Sequence, residues 1–427
     1  MSGAELAPNP TLPSLFRVPF DFILFALTLL AIAIFHRRTM QIALSGLGTI
    51  ALYKLLFTGF QTGPGLPGLL AHVAHEWVPL VNLLGLLTGF ALLARHFEKS
   101  HFPVVLPKFM PHDWKGAFLL LALVFTLSSF LDNIAATLIG GAMAHQLFRA
   151  KVHLRFLVAI VAAANAGGAW SVIGDTTTTM MWIEGVSPKA MIEALIPATT
   201  ALFIFGIPAA RRQQRYSPII RHSHAHTKID WGRIAIITLT LSLAVGANVF
   251  VETQSPENAA QFPFIGVAVW IGILASLWFR RPDWEILPEA FRGSIFLLAL
   301  VLSASMMPVE KLPSPGWQTA FGLGFISSVF DNIPLTALAL KQGGYDWGFL
   351  AFTIGFGGSL VWFGSSAGVA LSNLFPETRS FGKWLWQARY VLLAYVISFF
   401  VMLWVTPWRP DAAHKPLPNP HEPASYR

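Results

Sequence analysis

Apolar runs, each about as long as a bilayer is thick, recur along this chain between short polar or basic stretches. They fall at 18–36, 40–58, 77–97, 154–183, 188–209, 232–252, 262–279, 293–307, 347–372 and 385–406. Each is near the roughly 20 residues that a helix needs to cross the hydrocarbon layer. Two further apolar segments, 116–147 and 317–341, are interrupted by one polar phrase in two versions, SSFLDNIAATL (128–138) and SSVFDNIPLT (327–336). The pattern predicts an all-α polytopic membrane protein.

Composition agrees. Of the 427 residues, 54% are hydrophobic and only 12% charged, outside the usual range of soluble domains. The net charge of +8 is spread over the loops between spans, which points to membrane topology and the lipid bilayer rather than to a nucleic-acid partner. The chain has no cysteine, so no disulfide and no thiolate metal site. Only Arg17 closely precedes the first span, Asp21 lies near its start, and no small-residue cleavage site follows. That span reads as a retained anchor.

The basic residues choose between two topologies. If both interrupted segments cross fully, Lys and Arg outside the spans divide 17 to 11 between the two faces. If both are re-entrant hairpins, ten crossings remain. The loops at 37–38, 95–115, 149–155, 211–233, 280–292 and 379–389 then share one face with 21 of the 29 basic residues. Positive residues concentrate on the cytoplasmic side, so the second arrangement is expected, in an inner (plasma) membrane with both termini outside.

Each half then holds five crossings and a hairpin. Five is odd, so the halves enter from opposite sides and form an inverted repeat, with broken helices meeting at the midplane as in secondary transporters. The expected units are 1–210, a basic cytoplasmic linker 211–231, a second repeat 232–407 and a disordered tail 408–427. Six of ten aligned positions in the two polar phrases are identical, including Asp132/Asp331, Asn133/Asn332 and Thr137/Thr336, far above chance. A second pairing follows each hairpin. NAGGAWSVIGDTTTT (165–179) aligns with GFGGSLVWFGSSAG (355–368), which places Asp175 opposite Ser365. Glycine pairs weaken a helix, and unwound backbone at membrane depth is tolerated only where it is buried or lines a polar cavity.

A charged side chain at the bilayer centre costs on the order of 3 kcal/mol, so an intramembrane acid is functional by default. A purely structural role, capping the second half-helix of a hairpin, is the competing reading for any one of them. Asp132, Asp175 and Asp331 in matched positions favour function. Burial disfavours the charged form of a carboxyl and a bound cation restores it. Proton and cation therefore compete for one group, which makes a two-faced carrier an exchanger. No Arg or Lys lies in the hairpin tips or unwound stretches, so the electrostatics favour a cation over an anion. Sodium wants oxygen ligands, by the logic that governs other hard cations.

The phrases FLDNIAATLIGG, ANAGGAWSVIGDTTTTMMW, FDNIPLTALAL and GGSLVWFGSSAGVALSN closely resemble the NhaD-type sodium/proton antiporters of the wider ion transporter superfamily. The resemblance implies a homodimer in which a transport domain moves like an elevator against a scaffold. It also implies cation- and proton-binding roles for Asp132, Asn133, Asn165, Asp175, Thr177, Thr178, Ser327, Asp331, Asn332 and Ser365, with sodium held among them. Trp362 is a departure, standing where some relatives are expected to carry a small polar residue.

Other features read more plainly. His222, His224 and His226 sit in the basic linker and read as a solvated segment ahead of a pH sensor. His72, His75 and Glu76 fall in the outer loop expected before the third span and lack the HExxH order. Lys54 reads as a scaffold or snorkelling lysine. The expectation is a secondary transporter, not an enzyme, that exchanges sodium, with lithium as a second ion, for protons and needs no cofactor. The alternative is a sodium-coupled carboxylate carrier or a metalloid oxyanion exporter of the same superfamily. An intramembrane aspartyl protease would need two aspartates sharing one site, which the doubled DN phrase and the GDTTT stretch argue against.

Overall fold

The computed structural model describes residues 18–35, 38–105, 110–219, 228–254 and 261–411. Among them the chain is helical, with no strand beyond one isolated bridge, Phe60 to Gly63. Six helices are long and apolar enough to cross a membrane, and five shorter apolar helices join them. His222, His224 and His226 lie outside the described residues.

The helices are α1 (Phe20–Ile34), α2 (Thr39–Tyr53), α3 (Gly65–Lys99), α4 (Trp114–Ser128), α5 (Asn133–Leu147), α6 (Leu154–Gly168), α7 (Thr176–Ile183) and α8 (Leu195–Tyr216). They continue as α9 (Trp231–Gln254), α10 (Phe264–Ser276), α11 (Leu287–Ser305), α12 (Trp317–Ser327), α13 (Asn332–Gln342), α14 (Trp347–Gly357), α15 (Ser366–Leu374) and α16 (Phe381–Val405). Most of the expected spans reappear within a few residues. The third is longer, because Pro64, Gly65, Pro67 and Gly68 read as a loop whereas they open the helix. Gly65 takes a positive φ of 66°, and Pro67 lies in the first turn, where no intrahelical N–H is needed. His72, His75 and Glu76 therefore lie on α3, not in the outer loop expected for them. His72 is buried, with Nε2 2.9 Å from Ser305 Oγ.

The two polar phrases break helix pairs. α4 and α5 are separated at 129–132, and α12 and α13 at 328–331. Each pair starts and finishes beside the same neighbours. Gln214 on α8 donates to the carbonyl of His112, ahead of α4, while Gln213 and Ser217 engage 148–153, just after α5. Likewise Gln342, at the end of α13, donates to the carbonyl of Pro313, ahead of α12.

α6 and α14 form the centre. Every residue from Phe156 to Ala169 and from Trp347 to Trp362 is buried, which fits helices that are apolar on all sides. At 15 and 11 residues they are about 22 and 16 Å long, too short to cross a bilayer. Each ends inside the protein and resumes, after 169–175 or 358–365, as α7 or α15.

Polar clamps close the ends. At the basic end, Asp283 meets Lys99 at 2.6 Å and Arg95 at 3.1 Å, and Asp230 meets Arg280 at 2.9 Å. Hydrogen bonds from Lys99 and Arg95 hold the Asp283 carboxyl below its ordinary 3.8, and Arg280 does the same for Asp230. A depressed carboxyl contributes stability above its unfolded value and loses it as the pH falls through the folded one. These carboxyls are therefore fully ionised at neutral pH, and their contribution is lost only in acid. At the opposite end, Lys341 Nζ donates to the carbonyls of Ser305 and Met307, covering carbonyls left free where α11 stops. Lys54 lies 4.0 Å from Asp21 and reaches the Gly59 carbonyl, both charges being buried, as suits a scaffold lysine. The tail expected to be disordered from 408 instead packs back as far as Asp411. Trp408 meets Phe349, and the Arg409 N–H donates to Asp346 at 2.9 Å.

Candidate functional site

Four half-helices, α5, α7, α13 and α15, begin at the breaks, and each is capped by its own preceding residue. Asp132 accepts from the Ile134 N–H at 3.3 Å and Asp331 from the Ile333 N–H at 3.1 Å. Asp175 accepts from the Thr177 N–H at 3.2 Å and Ser365 from the Gly368 N–H at 3.3 Å. The caps match in pairs. Asp132 and Asp331 have φ,ψ of −51°,145° and −53°,142°, while Asp175 and Ser365 have −144°,150° and −142°,151°. The capping role weighed as the structural alternative is thus present, but each carboxylate keeps further oxygen capacity.

Side chains then join the breaks. Asn332 Nδ2 donates to Asp175 Oδ2 at 3.2 Å, which ties the second hairpin to the first broken helix. Asn133 Nδ2 donates to Asn165 Oδ1 at 3.2 Å, and Asn165 Nδ2 donates onward to Ser365 Oγ at 3.1 Å and Ser359 Oγ at 3.0 Å. Ser366 Oγ donates to Asp331 Oδ2 at 3.2 Å. Asp132, Asn133, Asp175, Asn332 and Ser366 line one cavity of about 420 Å3. Positive half-helix N-termini and the carboxylates of Asp132 and Asp175 meet there, beside the carbonyl ends of α4, α6, α12 and α14, while Asp331 stands behind Ser366. Carboxylates, amide oxygens and half-helix carbonyl ends are ligands for a hard cation.

Not every expected residue faces the cavity. Thr178 Oγ1 donates to the Asp175 carbonyl at 2.9 Å, within its own helix, and Thr177 is buried one position before it. Ser327 Oγ donates to the Ile354 carbonyl at 2.7 Å, bracing α12 against α14. Ser129 braces the other copy, donating to the Gly167 carbonyl at 3.0 Å. Ser327→Ala is therefore expected to cost about 1 kcal/mol of stability and to leave sodium affinity within about twofold. A thermal melt and a sodium titration of the purified variant check this. An affinity loss of tenfold or more would return Ser327 to the ion. Trp362 is buried and packs edge-on against Phe363, filling space that a small polar residue would leave to oxygen ligands.

Sequence reading missed several polar groups. Ser359 and Ser366 stood inside a quoted phrase, and Thr176 and Thr179 line the cavity. Ser128 Oγ and Thr137 Oγ1 are buried without a hydrogen-bond partner. Their identity in the two phrases was the available signal. Among the described residues, no group of three or more histidines and acids is placed to hold a metal ion.

The cavity opens toward the basic end, where Arg95, Glu98 and Glu289 line it. A second cavity, about 570 Å3, opens toward the other end and is lined by His75, Glu76, Glu184 and Lys341 among others. The two come within one helical turn of each other. Their linings step from Leu87 to Leu83 on α3, from Thr179 to Met180 on α7, from Leu297 to Val301 on α11 and from Ile333 to Ala337 on α13. Four residues of helix span about 6 Å.

Fold and site together define a polytopic helical membrane protein with a carboxylate- and amide-lined centre between two opposed cavities. No family model matches the chain. It is similar to sodium/proton antiporter 1 of Arabidopsis thaliana, 28% identical over 58% of this chain and 49% of that protein. It is also similar to the Na(+)/H(+) antiporter NhaD of Alkalimonas amylolytica, 26% identical over 66% of this chain and 68% of the relative, and to NhaD of Halomonas elongata, 24% identical over 66% of each. The match thus spans about half the length of the first of these relatives and two thirds of the others. All three are named as transporters, not enzymes.

Proposed function

We propose that this protein exchanges sodium, and also lithium, for protons across the inner (plasma) membrane by alternating access. The observation that carries the reading is the cavity from the basic end that reaches Asp132 and Asp175 and stops one helical turn short of the opposed cavity. A pathway open at one end and closed by so thin an apolar layer at the other suits a carrier caught facing one side. The relatives' names supply the ions.

In this reading the chain is an inverted repeat, with its halves at 1–210 and 232–407, the basic end is cytoplasmic, and the protein works as a homodimer. Matched caps and hairpins that close at opposite ends support the repeat. Sodium enters from the cytoplasm and binds among Asp132, Asn133, Asp175 and Asn332, with Asn165 and Ser365 setting the orientation of Asn133. Asp331, Thr177, Thr178 and Ser327 support this set from the helix ends. External protons then neutralise the carboxylates and release the ion outward, since one group cannot hold both.

The test is collapse of a preformed pH gradient in everted membrane vesicles. Sodium and lithium are expected to dissipate the gradient between pH 7 and 9. Absence of any response to sodium, lithium or potassium would sink antiport and bring forward a carboxylate or metalloid carrier.

A further inference from the structure

We propose that the basic end carries a binding site for the phosphate headgroup of an anionic phospholipid, distinct from the ion pathway and independent of the antiport reading. A pocket of about 380 Å3 lies between α6, α8 and α16. Arg155, Arg211, Arg212 and Arg215 line it together with Tyr390, over an apolar wall of Ile207 and Pro208.

Among the described residues, none of the four arginines forms an ion pair with a carboxylate, although arginines elsewhere at this end do. Neutral partners orient them instead. Arg155 Nε donates to Gln387 Oε1 at 3.0 Å, and its guanidinium lies 4.6 Å from the Tyr390 ring centre. Arg211 lies 4.8 Å from the Trp114 ring centre, and Arg212 Nε is 3.3 Å from His153 Nε2. Arginine stays charged at any physiological pH, and its planar fork fits phosphate oxygens bidentately. Four such forks around one concavity repel one another until an anion enters. A phosphate bound among them would offset that repulsion and accept from more than one fork.

The surroundings select a lipid as the source. Arg211–Arg215 form the last two turns of the membrane-crossing helix α8, and Arg155 lies in the first turn of α6. Exposed Trp386 and Tyr216 flank them, the residue types that settle at headgroup depth. Basic pockets between crossing helices at that level take anionic headgroups, while Ile207 and Pro208 offer a surface for the upper acyl chain. A soluble phosphate would need none of this apolar border.

The test is native mass spectrometry of the detergent-purified full chain titrated with phosphatidylglycerol, phosphatidylcholine or inorganic phosphate. Wild type is expected to retain phosphatidylglycerol over phosphatidylcholine and to ignore inorganic phosphate. Arg211→Gln with Arg215→Gln removes two charges and is expected to weaken phosphatidylglycerol about thirtyfold. Arg292→Gln, an exposed charge at the same end outside the pocket, is expected to change it less than twofold. R211K/R215K keeps the charge but not the planar fork, and is expected to bind between the Gln pair and wild type. Equal retention by wild type and the Gln pair, or equal loss in Arg292→Gln, would overturn the site. Displacement of the lipid by inorganic phosphate would overturn the lipid as its occupant.

Discussion

Asp175→Asn abolishes sodium-driven dissipation of the pH gradient in everted vesicles, with a loss of about a hundredfold or more, while the protein still folds. The two halves of this expectation rest on different atoms. Asparagine is as good an N-cap as aspartate, so the bond from the Thr177 N–H, 3.2 Å in the native chain, survives. So does an acceptor for Asn332 Nδ2. The substitution removes the charge alone. A buried cation left without its carboxylate costs about 3–5 kcal/mol, and an amide does not gain or lose a proton at physiological pH. Asp175 is 3% exposed, the most enclosed of the three acids.

Asp132→Asn is expected to follow closely, because Asp132 faces the same cavity. Asp331→Asn is expected to be milder, because Asp331 lies outside the lining that Asp132 and Asp175 share and is screened by Ser366 Oγ. Gradient dissipation at wild-type rate in Asp175→Asn, with normal membrane levels, would remove this residue from the ion's path. An unfolded Asp175→Asn would instead mean that the charge itself, not the cap that asparagine preserves, holds the breaks together.

Much of this site was legible because intramembrane acids are rare and repeats are hard to produce by chance. The DN phrase at 132 and 331 located two caps, and the glycine-rich phrases located the third and fourth. What the sequence could not supply was which oxygen meets which. Asn165 and Ser359 join the network only because α6 and α14 end side by side, a contact between residues 194 apart. Ser327 and Ser128 are the same residue in the repeat, yet one braces a carbonyl and the other is left unpaired. That difference arises in the packing around each copy. The start of α3 was hidden for another reason. Proline and glycine open a helix and end one alike, and Gly65–Gly68 resembles a loop until Gly68 is seen against the Gly63 backbone. The second cavity left no local mark, since its wall is drawn from α3, α7, α11 and α13.

The close approach of the breaks sets the second large effect, Gly167→Val. Gly167 lies where α6 passes the end of α4, and a Cβ there would overlap the Phe125 carbonyl. Gly357 meets the Gly324 carbonyl in the same way in the second half. Both neighbours are backbone, so no side chain can rotate aside. The bond from Ser129 Oγ to the Gly167 carbonyl, 3.0 Å, fixes the same approach. Overpacking a well-filled core costs about 1–3 kcal/mol where side chains yield, and here the cost falls at or above the upper limit. Such a change consumes much of a domain's net stability. Gly167→Val is expected to reach the membrane at a small fraction of the wild-type level and to elute as aggregate after extraction. Gly322→Ala is the control, since a Cβ there meets nothing within 4 Å. In the helix interior it should gain about 0.5–1 kcal/mol, read as a raised midpoint in a thermal scan. A monodisperse Gly167→Val protein with wild-type melting and transport would mean that α4 and α6 do not meet at this carbonyl. The assembly of the four breaks around Asp175 would then need a different account.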